Sequence, residues 1–391
     1  MTSQKTAEAI EHFLRLRRPS LGRRVRGLAG RARRALLGTA AGTNIVQPSF
    51  PAARPELRKT LLIPVLPGFD QTQPGSGVLI RTGMARGWAE ACGPAKLLPL
   101  GDLIAELDRH DRPAVYATSD ELAVLPQAAA RRLRAIDLFV WVNVHPTQYE
   151  SYIKKYPLLG GVELRRQALG FENLVLAEPK FVWAPVGEAG AELYQGWAED
   201  GFRLERLLLA ADPERYRPQG APEQFGEVRM AYVGGYWPEK AQAFEVFLRP
   251  WEDQLVVYGN NPWPYRHYRG QIPPADEPRL YSTAGLIPLV TTPASRQMAE
   301  LTERYFKVPA CRAFAIADTN PALREAFSEQ ELLQAESPEH FHDLVREYLA
   351  GKIDTERWRE SAYRAVRARH LYRHRALRIR ELLEPRPPQG E

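Results

Sequence analysis

The sequence predicts an α/β protein with parallel sheets in two successive halves. From Lys59 onward, short apolar runs alternate with segments of helical period. That alternation marks strand–helix–strand units whose sheets are covered on both faces. It runs twice, and the proline- and charge-rich stretch 210–218, AADPERYRP, separates the two runs. The 391 residues also suffice for two domains of about 150 residues each with flanking segments.

Residues 1–55 stand apart as a basic arm and linker. Lys5 and nine arginines against Glu8 and Glu11 give residues 1–50 a charge of +8, whereas the whole chain carries +6, so the remaining 341 residues carry −2. Within 10–38, Leu21, Val25, Leu28, Ala32 and Leu36 recur at three- and four-residue spacings and define one helical face, with Ser20 as N-cap. Arg23, Arg24, Arg26, Arg31, Arg33 and Arg34 cover the rest. A basic amphipathic helix of this kind suits an anionic membrane surface, a docking partner or nucleic acid, and a solvated leader has the same composition. The near-neutral body argues against a nucleic-acid protein, which would extend its basic footprint over the folded domains. Residues 39–55 read as a Gly/Pro/Thr-rich linker.

No apolar run reaches the roughly 18 residues of a membrane span, and arginines interrupt any secretory h-region. Cys92 and Cys311 are too few and too far apart for a disulfide framework or a metal knuckle. These features predict a cytoplasmic protein, held peripherally on the inner face of the membrane if the arm engages lipid.

In order, strands are predicted at 60–66, 95–100, 114–118, 137–144 and 173–177, with a short last strand at 204–209. Helices at 78–91 and 121–134 lie between them. The second half gives strands at 228–233, 255–258, 285–290, 314–317 and 331–334, and helices at 239–248, 294–308, 321–327 and 338–349. The Arg-rich tail 355–383 reads as helical. The resulting blocks are 1–55, 56–218, 219–354 and 355–391.

Ligands of open parallel sheets bind beyond the carboxyl ends of the strands. That rule selects Gly234-Gly235-Tyr236 after 228–233, Tyr258-Gly259-Asn260 at the end of 255–258, and the loop from Thr291 to Ser295, which opens the helix carrying Arg304. Glycines there let backbone approach a phosphate, and a helix start offers free N–H groups. In the first half the same rule selects Asp70, His145 and Glu178 as candidate general bases, with Gly75 and Gly77 as a close-approach loop. The chain has no D-x-D motif and no Cys/His spacing for zinc, so no metal site is expected. Arginine, lysine and helix N-termini supply positive potential instead.

The segment 304–320, RYFKVPACRAFAIADTN, resembles the R-x-F-E-x-x-A-C-G segment of the spore maturation glycosyltransferases and the related glycosyl transferase family 1 group. AYVGGYWPEK, VVYGN, YRGQIP and RLYSTAGL precede it in the family's order, and ALREAFSEQELL and RHLYRHRA follow. The likeness covers about residues 228–380. AADPERYRP resembles the family's x-D-P-x-x-F-x-P crossing between domains. Lys307 stands where the family has Glu, and Arg312 where it has Gly.

The resemblance implies a GT-B fold: two Rossmann-like domains with parallel sheets facing across a cleft, plus C-terminal helices. It implies a metal-independent glycosyltransferase with no cofactor, moving a sugar from a nucleotide-sugar to a glycan, lipid-linked or protein acceptor. Carried over residue by residue, the donor contacts fall on Gly234, Gly235, Tyr236, Tyr258, Gly259, Asn260, Arg304, Tyr305 and Lys307. The replacement at Lys307 also admits a sugar-nucleotide epimerase or an inactive binding module on the same fold.

The arm makes a separable prediction. Each basic residue near an anionic leaflet contributes about 1 kcal/mol. Full-length protein is therefore expected to sediment with acidic liposomes at low salt and to dissociate as salt rises. Deletion of residues 1–50 is expected to abolish that sedimentation and leave a soluble body. A full-length protein that ignores acidic liposomes would contradict the membrane reading.

Overall fold

The computed structural model describes residues 43–45, 59–72, 75–144, 170–220, 225, 228–236 and 238–384. The basic arm and His145 lie outside these residues. The chain divides into two compact units. The first holds residues up to Ala184, Glu192–Arg206 and Ala376–Glu391; the second holds Pro185–Ala191 and Leu207–Arg375.

The first unit is a six-stranded parallel sheet. Its strands are β1 (Leu61–Val65), β2 (Ala95–Pro99), β3 (Ala114–Thr118), β4 (Asp137–Trp141), β5 (Phe181–Ala184) and β6 (Leu204–Arg206), in the order β2-β1-β3-β4-β5-β6. β1 and β5 are buried at every position, as strands covered on both faces must be. Tyr116, Phe139 and Phe181 stack across neighbouring strands at centroid separations of 5.2 and 5.5 Å, and Trp88 and Trp183 are fully buried.

Two expectations fail in this unit. The run 173–177 is helical, not a strand. Phe171, Leu174 and Ala177 are buried at three-residue spacing while Val175 is 41% exposed, so the apolar content follows a helical face. Asn173 fixes that helix by donating to the carbonyls of Leu122 and Leu125 at 2.6 and 2.9 Å. The strand is β5, four residues later. The helix expected at 121–134 is two, α2 (Ser119–Val124) and α3 (Gln127–Leu133), after α1 (Ser76–Ala91). Pro126 forces Leu125 into an extended conformation between them.

The second unit pairs β7 (Met230–Val233) with β8 (Leu255–Tyr258), and β9 (Ile287–Leu289) with β10 (Ala315–Ala317) and β11 (Leu333–Gln334), all parallel. A parallel bridge between Met230 and Leu286 joins the pieces, with Ala231 N donating to Leu286 O at 3.0 Å. The strand order is therefore β8-β7-β9-β10-β11. Its core gathers Tyr232, Phe244, Phe247, Trp263 and Phe341.

The helix expected at 294–308 is also two, α4 (Pro293–Gln297) and α5 (Arg304–Ala310). Ala299 between them has φ +49°, which no helix tolerates. The break makes Arg304 the first residue of a new helix. In the tail, α6 (Thr355–Arg369) and α7 (Tyr372–Leu383) meet at His370. Arg375 donates to the carbonyls of Leu208 and Leu209 and to His370 Nδ1, while His370 Nε2–H donates to Ala326 O at 2.8 Å. Burial and the Arg375 charge push the His370 pKa down to about 3, so the ring is neutral. The RHLYRHRA segment is thus an internal strut. Among the described residues no helix is long and apolar enough to cross a membrane.

Candidate functional site

In the second unit the chain leaves β7 for β8 on one side and reaches β9 on the other. The crevice at such a switch point, beyond the carboxyl ends of β7 and β9, is where open α/β sheets hold ligands. Gly234 follows β7 directly. Its N–H donates to Tyr258 O at 2.9 Å, and its carbonyl accepts from Trp263 Nε1 at 2.9 Å. A Cβ on Gly234 would lie 2.6 Å from Arg304 Nη2, and one on Gly259 would lie 2.3 Å from Gly234 O. Gly259 is therefore required by the close approach of the two loops, and Gly234 leaves room for the Arg304 guanidinium. The Tyr258 side chain is buried, Tyr236 packs on Phe244 and Trp263, and Asn260 is exposed in the loop.

Arg304 lies against the end of β7 and Gly234. Its Nη2 donates to Val233 O at 2.9 Å, and its guanidinium lies 4.4 Å from the centroid of the Tyr232 ring. Among the described residues no carboxylate pairs with it directly, although Glu277 acts on its charge from nearby, and its Nε is buried with no hydrogen-bond partner. The guanidinium is thus fixed by a carbonyl and an aromatic face and keeps its positive charge unneutralised by direct contact.

Tyr305 is placed differently. It is fully buried, and its hydroxyl joins Thr291 Oγ1 (2.5 Å), Asp318 Oδ1 (2.8 Å) and Leu289 O (3.2 Å). Asp318, 0% exposed, also accepts from Thr291 N and Thr291 Oγ1 at 2.7 Å each and from Arg296 Nη2 at 3.1 Å. This hub binds the β9 end, α4, α5 and the β10 end into one body. Tyr305 serves it from inside, and its side chain offers no surface to a donor. The sequence reading overlooked Asp318, although the strand-end rule applied to β10 selects it.

Lys307 does not face the site either. Its ammonium pairs with Glu277 at 2.5 Å, with the two side chains 12% and 2% exposed. Glu277, in the helix Glu277–Thr283, also accepts from Tyr281 OH at 2.8 Å and Tyr216 OH at 2.9 Å. Burial pushes the Glu277 carboxyl up, but the Lys307 charge and the three hydrogen bonds outweigh it and hold the group below the usual carboxylate range. The positive charge at 307 is spent inside the fold. Its partner lies thirty residues earlier, where no sequence spacing points to it.

Glu303 was also missed. It is 6% exposed, its Oε1 has no partner, and burial pushes its pKa up to about 7.

The first-half candidates do not converge. His145 lies outside the described residues. Asp70, after β1, accepts from Asn44 Nδ2, Thr72 N and Thr72 Oγ1. Glu178 precedes β5 and so sits at the amino edge of the sheet, opposite to where its selection assumed. Its exposed carboxylate pairs with Arg134 at 2.8 Å. Near Gly75, Arg81 donates to Gly77 O at 3.0 Å and pairs with Glu121, which closes a capping box with Thr118. Among the described residues no group of three or more His, Cys, Asp and Glu is placed to hold a metal ion.

Residues 233–381 match the family model described as glycosyl transferase-like. No curated protein matches. Among solved structures, sucrose-phosphate synthase from Thermosynechococcus elongatus is similar at 12% identity and TM-score 0.55, over 84% of this chain and 98% of that one. HepE from Anabaena, in complex with UDP and glucose, is similar at 13% identity and TM-score 0.51, over 84% and 100%. BGT of T4 phage, in complex with UDP and Mn2+, is similar at 11% identity and TM-score 0.50, over 83% and 97%. These likenesses show the fold, which is GT-B.

Two stability predictions follow from the buried charges. Lys307→Met leaves the Glu277 carboxylate buried without a countercharge and is expected to cost about 3–5 kcal/mol in denaturant unfolding. Adding Glu277→Gln is expected to restore most of it; no recovery would show that the pair is not the origin of the loss. Glu303 works in the opposite sense. Its folded pKa lies above the unfolded value, so the folded state holds a proton that the unfolded state has lost between about pH 4.5 and 7. Stability contributed by this group falls across that window. Glu303→Gln is therefore expected to raise the melting temperature at pH 8 and to change it little at pH 4, as measured by calorimetric scans.

Proposed function

We propose that the chain is a glycosyltransferase that moves a sugar from a nucleotide-sugar, UDP-linked by analogy with HepE and BGT, to a hydroxyl group of an acceptor. The observation that carries this reading is Arg304, whose unneutralised guanidinium is fixed at the β7–β9 switch point beside Gly234, where backbone and cation together suit a diphosphate. The glycosyl transferase-like match over 233–381 spans the same residues. Kinship with the spore maturation branch is our reading of the RYFKVPAC segment.

In this reaction the bond between the sugar carbon and the diphosphate oxygen breaks, the acceptor oxygen bonds to that carbon, and the acceptor proton passes to a base. Charge grows on the departing diphosphate. Arg304 stabilises it without reorganising, because Val233 O and Tyr232 already hold the guanidinium. We assign the base to the first unit, with His145 and Asp70 as candidates, and we read the transfer as independent of metal. Lys307 has no part in it. The acceptor is read as a glycan, a lipid-linked glycan or a protein, and the basic arm as a tether that brings the enzyme to the inner face of a membrane.

Arg304→Ala is expected to weaken UDP-glucose binding by about 1.5–3 kcal/mol, the range of a charge-assisted hydrogen bond, in titration calorimetry. Turnover of the unaltered enzyme is expected to persist in EDTA. Unchanged affinity in a folded variant would remove Arg304 from the site.

A further inference from the structure

The chain breaks between α4 and α5 at a residue ill suited to the break. Ala299 is fully buried and takes φ +49°, a left-handed conformation that an L-residue keeps only where its surroundings impose it. The contacts that impose it come from two short segments of the second unit. One is Pro185–Ala191, whose sequence neighbours on both sides belong to the first unit. Gly187 N–H donates to Ala299 O at 2.9 Å, and Val186, 1% exposed, forms an antiparallel bridge with Glu300. A Cβ on Gly190 would lie 1.9 Å from Met298 O, so glycine is what lets this segment press on the turn. The other is the stretch after β10. Asn320 Nδ2 donates to Glu300 O at 2.9 Å. Glu325, in the helix Leu323–Ala326, accepts from Glu188 N–H at 2.7 Å and so ties the two segments together.

We propose that Pro185–Ala191 is a positioning segment for the donor site, with Gly187 and Gly190 as its positioning residues. This rests on the donor reading above. Arg304 opens α5 just beyond the Ala299 turn, so the turn sets where that helix starts and where its first side chain stands. The Asp318 hub grips α4 at Arg296 and α5 at Tyr305. Between those two points the backbone of Met298, Ala299 and Glu300 is held by Pro185–Ala191 and Asn320 instead. A left-handed alanine adds nothing to packing that a helical one would lack. Backbone held in this way by several contacts gathers where a site has to be aimed, and here the group being aimed is the Arg304 guanidinium. The segment never touches the donor in this account. It acts through Arg304, whose hold on Val233 O and Tyr232 depends on the start of α5.

The test is titration calorimetry of the full chain with UDP, for the unaltered protein, Gly190→Ala, Arg304→Ala and the double variant, with the fold of each checked by thermal unfolding. Gly190→Ala is expected to weaken UDP about tenfold in the unaltered background and to add nothing in the Arg304→Ala background. A residue that acts through Arg304 has no further effect once Arg304 is gone. Glu325→Ala changes an exposed side chain and withdraws the acceptor of Glu188 N–H. It is expected to repeat the pattern at about threefold, and it decides the outcome if Gly190→Ala does not fold. Weakening of equal size in both backgrounds would mark the segment as structural and overturn the proposal, as would unchanged affinity in the folded variants. If the unaltered protein does not bind UDP, or Arg304→Ala leaves its affinity unchanged, the donor reading fails first and this inference falls with it.

Discussion

The second unit depends on a carboxylate that never meets solvent. Asp318 binds Thr291 at the end of β9, Arg296 on α4 and Tyr305 on α5, and its position follows directly from β10. A buried carboxylate is tolerable only when its oxygens are hydrogen-bonded and its charge is matched, and here Arg296 and three hydroxyl or amide donors meet that demand. Because the three anchoring residues lie on three elements, satisfying one group fixes the angle at which α5 leaves the β9 loop. That angle brings Arg304 to Val233 and Tyr232.

Around this hub the residues of one short segment divide their labour. Arg304 meets Val233 and Tyr232 at the end of β7; Tyr305 reaches Asp318 and Lys307 reaches Glu277. Helical geometry separates Arg304 from Tyr305, about 100° apart around the α5 axis, whereas Lys307, three residues on and close to the Arg304 face, is drawn to Glu277. The replacement of the family's Glu by Lys307 is locally compensated, because Glu277 supplies the opposite charge and Tyr216 and Tyr281 complete its shell. Glu303, just before Arg304, keeps one carboxyl oxygen buried without a hydrogen-bond partner.

The glycines have an equally concrete cause. Gly234 and Gly259 let two strand-end loops touch, so that the Gly234 carbonyl meets Trp263 and its amide meets Tyr258. This packing holds the crevice floor while leaving Arg304 in reach of it. In the first unit Arg81 and Glu121 close on each other.

The sequence by itself determined the α/β class, the two runs of parallel strands and the strand-end loops at Gly234, Gly259 and Thr291. All of these rest on local periodicity and on glycine's freedom, which a chain displays residue by residue. It also singled out Arg304. The tertiary structure alone decided the partner of Lys307, the inward turn of Tyr305 and the dry place of Glu303, because those depend on groups thirty or more residues away or on packing from several elements. It also decided where apolar runs became helix rather than strand. Residues 173–177 are short enough to suit either, and the hydrogen bonds of Asn173 to Leu122 and Leu125 selected the helix. Periodicity reports which residues want burial; which polar groups then meet is settled only when the strand ends converge.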